Sequence, residues 1–167
     1  MGTRSAIGVM HGDKAKVVYC HWDGYLDHNG RILLNHYDSV KANYLVALGG
    51  LSSLRKHIGE KHDFDGEEGR DNDWCNFYGR DRGEEGNEFK VCFSDAELFH
   101  HFSWCEYFYI MKDGVWYVSE GPDTEWKLLA DAIADLDIAN ASDEEPTERQ
   151  VQNTVVKALI TREEPAL

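Results

Sequence analysis

"EYFYIMKDGVWYVSE", residues 106–120, reads as two strands around one tight turn. On both sides of Asp113-Gly114 the residues are mostly aromatic or β-branched, types that pack well on a pleated, half-buried surface. Asp-Gly is a favoured pair for a type I′ turn, in which both central residues take positive φ and the turn twist matches that of the strands. A two-residue connection makes the strands antiparallel. The hairpin puts a sheet at the centre of the fold, and the remaining segments are read by what they lay against it.

A second hairpin precedes it, from Arg4 to Trp22. Ile7 and Val9 alternate with small residues, Gly12-Asp13 marks the turn, and Ala15 to Trp22 is strand-favouring. Period two places Val17, Tyr19 and His21 on one face and Val18, Cys20 and Trp22 on the other, so the strand is apolar on both sides and predicted to be central. Asp27 or Asn29 caps a predicted helix through Tyr37, and Val40, Tyr44, Leu45 and Leu48 mark a second that stops at Gly49-Gly50. Ser52 or Ser53 then caps a short turn carrying Leu54 and Ile58. Phe89 to Phe93 reads as a strand with Phe89, Val91 and Phe93 on one side. Ser94 and Glu97 have capping-box spacing ahead of Leu98, Phe99 and Phe102. Beyond Gly121-Pro122, Asp123 is placed as the cap of a helix whose Trp126, Leu129, Ile133 and Leu136 face inward.

Strand and helix runs that do not alternate regularly predict an α+β fold: a mostly antiparallel sheet of about five strands with helices packed on it. Residues 1–138 form the single α+β domain. Within it, residues 60–88 are rich in charge and glycine and read as an acidic loop insertion anchored by Trp74, Phe77 and Tyr78. Residues 139–146 are an acidic linker, and residues 147–167 a C-terminal helix, with Val151, Val155 and Leu159, and a tail.

Charge narrows the partners. The chain has 167 residues, with 31 acids against 17 bases and a formal charge of -14, which disfavours direct attraction to nucleic acid or an anionic membrane. No apolar run approaches the roughly 18 residues of a membrane span, and Met1-Gly2-Thr3-Arg4-Ser5 lacks the apolar stretch of a signal peptide, so a cytoplasmic protein is expected. Cys20, Cys75, Cys92 and Cys105 stand far apart without a C-x-x-C pair and read as reduced, buried thiols.

Three N-terminal stretches carry a resemblance: "MGTRSAIGVMHG" (1–12), "YCHWDGYLDHNGRILLNHY" (19–37) and "ALGGLSSL" (47–54), with weaker echoes in "GRDRGE" (79–84) and "KDGVWYV" (112–118). Over roughly the first 58 residues the chain resembles a family of small accessory proteins from tailed bacteriophages, marked by a T-R-S-x-I-G strand and a C-H-W-D-G-Y motif. The resemblance implies a protein made inside an infected bacterium for host takeover or for blunting host defence. It brings no reaction.

The residues themselves point to binding rather than catalysis. His21, Asp23 and His28 suit a metal by type, but their spacing is not diagnostic and Asp23-Gly24 is ordinary turn chemistry, so neither metal nor cofactor is assigned. Cys20 and His21 are neighbours on a strand and point to opposite faces, which argues against a nucleophile and base, and no catalytic residue is assigned. Arg4, Arg80 and Arg82 are suited to two-point contact with carboxylate or phosphate. Trp22, Tyr25 and Tyr78 offer rings for stacking, and Ser5, His21 and Asp23 add polar groups beside them. These nine residues form a candidate site for a small anionic, nucleotide-like ligand. Trp22 and Tyr25 are at the same time expected as core aromatics where the strand turns into the helix. The alternative partner is a host protein whose basic groove takes the acidic surface of Asp63, Asp65, Glu67 and Glu68 as a nucleic-acid mimic. A small enzyme of unknown reaction and formation of a homo-oligomer stay open.

Overall fold

The computed structural model describes residues 2–143, and its contacts divide the chain into units Met1–Leu136 and Asp137–Leu167. Both hairpins form. β1 (Ser5–His11) and β2 (Lys14–Cys20) pair antiparallel from Ser5↔Cys20 to His11↔Lys14, and β6 (Tyr107–Lys112) and β7 (Val115–Ser119) from Phe108↔Ser119 to Lys112↔Val115. At the second turn Asp113 has φ 52° and Gly114 φ 77°, the two positive angles of type I′.

The hairpins join through β1 and β6, and they join in parallel, from Ser5↔Tyr107 to Val9↔Met111. The sheet is therefore mixed and has eight strands among the described residues, in the order β4-β3-β2-β1-β6-β7-β8 with β5 also on β2. The α+β class holds, and five of the seven strand pairings among the described residues are antiparallel, as expected; the corrections are the two parallel joins and a count of eight strands where about five were predicted, because turn chemistry specifies pairing inside a hairpin and says nothing about how two hairpins meet. Gly8 sits at the join, where a Cβ would lie 2.8 Å from Val17 Cγ2 and 2.9 Å from Ile110 Cδ1. Three further strands were read otherwise or not at all. β3 (Leu51–Ser53) runs parallel to β2 where a serine-capped turn was expected, β4 (Asn76–Phe77) pairs with β3 inside the predicted loop, and β8 (Lys127–Leu128) pairs with β7.

Period-two alternation gives the sheet two apolar faces. Ile7, Val9, Val18, Cys20, Tyr109 and Met111 pack on one side with Leu33 of α1 (Arg31–His36), Leu45 and Val46 of α2 (Ser39–Ala47), and Leu129 and Ile133 at the start of α6 (Leu129–Asp143). On the other side, Ala6, Val17, Phe108 and Ile110 lie under Leu98 and Phe102 at α5 (Asp95–His101). Each fully buried Leu, Ile or Phe of these layers contributes about 1.5 to 3 kcal/mol. The expected two-sided burial of β2 is met, and all four cysteines are free and buried. Ser94 Oγ accepts from Glu97 N at 3.1 Å, as the capping-box spacing predicts.

Other expectations shift. The chain enters its first helix through a π-helical turn, Leu26–Gly30, and α1 ends at His36. α2 is capped by Asp38 and buries Ala42, Leu45 and Val46, leaving Val40 80% exposed, so the stripe is rotated from the one read in sequence. β5 (Lys90–Cys92) turns Cys92 inward and leaves Val91 and Phe93 together on the exposed side, while Phe89 packs partly against the core. The helix expected after Asp123 begins only at Leu129, because residues 127–128 complete the sheet edge. α6 runs to Asp143, into the segment read as linker, and the expected C-terminal helix lies outside the described residues.

Gly114→Val tests the join of sequence to fold. Its φ requires a left-handed backbone that costs an L-residue about 1 to 2 kcal/mol, more when β-branched. A lowered melting temperature is expected, with Gly114→Asn retaining most of the stability; equal melting of wild type and the valine variant counts against the turn.

Candidate functional site

The chain after β2 makes a tight corner. Asn29 is fully buried there, and its Nδ2 reaches Ser5 Oγ (3.2 Å), Trp22 O (3.2 Å) and Cys20 Sγ (3.5 Å), while Oδ1 pairs with His28 Nδ1 (2.9 Å). Asp23 takes φ 57°, Gly24 N donates to Thr3 O, and Tyr109 Oη donates to Gly24 O at 2.6 Å. Ser5 and Asp23 therefore serve the corner: Ser5 is buried with its hydroxyl engaged, and Asp23 sets the bend. Burial pushes Cys20 and Cys105 up to about 12, so both stay as thiols at neutral pH and neither is an activated nucleophile.

The corner projects aromatic groups outward. Trp22 and Tyr25 are 43% and 39% exposed, which corrects their placement in the core: β2 has already ended at Cys20, and alternation no longer aims them. On the face that carries Val17, Tyr19 Oη lies 2.7 Å from His21 Nδ1, and the His21 ring meets Trp22 edge-on at 4.6 Å. Trp104, 48% exposed, stands edge-on to Tyr19 at 6.1 Å. Arg4, one residue before the Ser5–Cys20 pair, is exposed and enters no ion pair among the described residues. Burial first and then the Arg4 charge hold His21 below the ordinary histidine range, so it is neutral at pH 7. Burial pushes the Tyr19 phenol up to about 12 against the pull of Arg4. The hydrogen bond between Tyr19 Oη and His21 Nδ1 holds the imidazole ring in place beside Arg4. The surface thus offers two exposed indoles, a guanidinium and an imidazole ring.

The three candidate arginines have three different settings. Arg80 is an internal clip. Its Nε and Nη2 donate to the Asp81 carboxylate at 2.9 and 3.2 Å, Nη1 to Ile58 O and Gly59 O, and Nη2 to Cys75 O, so every N–H is in use. Buried Asp81 also accepts from His62 N and Phe77 N. This clip ties residues 58–62 to residues 75–81, and around it the predicted loop folds into α3 (Glu68–Asp71), β4 and α4 (Tyr78–Arg82). Arg82 pairs with Glu84 and lies over the rings of Phe64 (4.3 Å) and Tyr78 (4.9 Å), so Tyr78 is stacked within the chain. Asp63, Asp65, Glu67 and Glu68 are all exposed, with Glu67 paired to Arg70.

Of the nine candidates, the structure brings Arg4, His21 and Trp22 together. Tyr19 and Trp104 were missed. The alternation that put Tyr19 beside His21 held the signal for the first; Trp104 sits in an irregular turn whose position no local pattern reports. No protein-family model, curated protein or solved structure matches the chain.

Two measurements check these placements. Arg4→Gln should raise the His21 titration midpoint followed by NMR while burial keeps it below the ordinary value; an unmoved midpoint separates the two residues. Arg80→Met leaves a buried carboxylate unpaired and should cost about 3 to 5 kcal/mol in denaturant unfolding, where an arginine waiting for a ligand would cost little.

Proposed function

We propose that this chain is a bacteriophage accessory protein that binds a component of the infected host, in the cytoplasm and without catalysis, through the surface of Arg4, His21, Trp22 and Trp104. The phage source rests on the N-terminal resemblance. The observation that carries the binding surface is the pair of indoles left in solvent beside an arginine with no ion-pair partner among the described residues, since apolar rings gathered at a surface mark contact sites. A ligand with an anionic group and a flat ring suits that combination, and a nucleotide-type signal molecule of host defence belongs to this class. The protonated thiols support binding over nucleophilic chemistry.

Protein recovered from infected cells and then denatured should release a small molecule detectable by mass spectrometry. Arg4→Glu combined with Trp22→Ala should lower its yield about tenfold or more, with the melting temperature kept. An empty wild-type protein rejects capture of a signal molecule.

The exposure of Asp63, Asp65, Glu67 and Glu68 favours a second reading, an acidic inhibitor seated in a basic groove of a host protein. That contact should weaken steeply between 0.1 M and 1 M salt as the Debye length falls from about 10 Å to about 3 Å. Changing all four to Asn or Gln should reproduce the loss at low salt. The same partner recovered in equal yield by wild type and the variant, across the salt series, excludes it.

A further inference from the structure

A second cavity, apart from the surface above, lies in the segment between β3 and β4 and has a volume of about 390 Å³. Ser53, Arg55, Arg70 and Trp74 line it, with Asp65 and Glu67. His62 and Asn76 also border it, and their polar atoms are spent: His62 Nδ1 pairs with Glu60 O (2.8 Å), His62 Nε2 with Asn76 Oδ1 (3.2 Å), and Asn76 Nδ2 donates to Phe64 O (3.1 Å). Three donors differ from these. The Arg55 guanidinium, the Ser53 hydroxyl and the Trp74 indole N–H have no acceptor among the described residues. Among the described residues no fully buried side-chain N or O lacks a partner, so these groups are reached from solvent. Arg55 holds its place through its backbone: its N donates to Cys75 Sγ (3.2 Å), and its carbonyl accepts from Tyr37 Oη (2.7 Å), so the side chain is not needed for the fold.

We infer that this cavity binds a small molecule carrying a single carboxylate. An arginine fork matches a carboxylate at two points, and a hydroxyl and an indole N–H beside it supply further donors to the same two oxygens. The ring of Trp74 packs against His62, with centroids 5.8 Å apart, which holds the indole in place at the cavity. Charge selects a monoanion. Glu67 spends its carboxylate on Arg70 at 3.3 Å, and exposed Asp65 also lines the cavity, so a phosphate dianion meets more repulsion than a carboxylate in a chain of formal charge -14. The inference is independent of the Arg4 surface.

The probes are benzoate, its neutral isostere benzamide, and phenyl phosphate, each titrated at pH 7.5 into the ¹⁵N-labelled full chain. Benzoate should shift the Trp74 indole signal and the Ser53 and Gly69 amides along one saturable curve, with benzamide and phenyl phosphate at least about tenfold weaker. Arg55→Gln should weaken benzoate about tenfold or more while the rest of the spectrum is kept, and Ser53→Ala should weaken it less. Equal shifts from benzoate and benzamide, shifts confined to other signals, tighter binding of phenyl phosphate, or an Arg55→Gln protein that binds benzoate like wild type would each overturn the inference.

Discussion

Confinement of β1 between β2 and β6 is the constraint on which the rest of the molecule depends. Both of its edges are paired and residues Ser5 to Val9 are buried, so neither a polar side chain nor an unpaired peptide group can be tolerated there without cost. Side chains of residues 5–9 are correspondingly small or apolar, and the one hydroxyl, on Ser5, is met by Asn29. The parallel register of β1 on β6 also sets the end of the sheet that carries the candidate site. It brings Thr3 to Gly24, Arg4 to the backbone of Glu106, and Tyr109 under the corner, so that residues from three distant segments share one surface.

The charged insertion adds a polar anchor to an apolar one. Cys75 and Phe77 are fully buried in the main core and β4 pairs with β3, and beside them stands one desolvated ion pair, Arg80–Asp81, whose every polar atom finds a backbone or side-chain partner. Such a pair gives little net stability, because desolvation offsets most of the attraction; what it supplies is geometry, since each carbonyl it holds must be where the fork reaches. The donor-rich cavity between β3 and β4 is a product of that geometry. It is lined by segments that the clip draws together.

The proposed binding rests on where aromatic and cationic groups are left unsatisfied. A strongly acidic chain repels anions at long range, yet the Arg4 surface and the Arg55 cavity each place a guanidinium without an ion-pair partner among the described residues where a ligand can reach it. Short-range contact and stacking then have to outweigh the general field, which favours small or singly charged ligands over polyanions.

Much of the local structure was determined by the sequence alone. Alternation and the turn pairs Gly12-Asp13 and Asp113-Gly114 specified both hairpins, and alternation the two-faced burial of β2 and the shared face of Tyr19 and His21, because period two and positive φ are properties of the chain within a few residues. Helix ends with a capping side chain, as at Ser94, were legible for the same reason. What only the tertiary structure decided was non-local. The parallel join of β1 to β6, the short strands β3, β4 and β8, and the inward turn of Cys92 depend on which edge a segment meets, and strands of two or three residues carry too little pattern to announce it. The arginines make the same point at the site. Arg4, Arg80 and Arg82 look equivalent in sequence, and burial alone made one a surface cation, one a clip whose donors are exhausted, and one a lid over two rings, because the acceptors that spend a guanidinium are backbone carbonyls that only folding brings near.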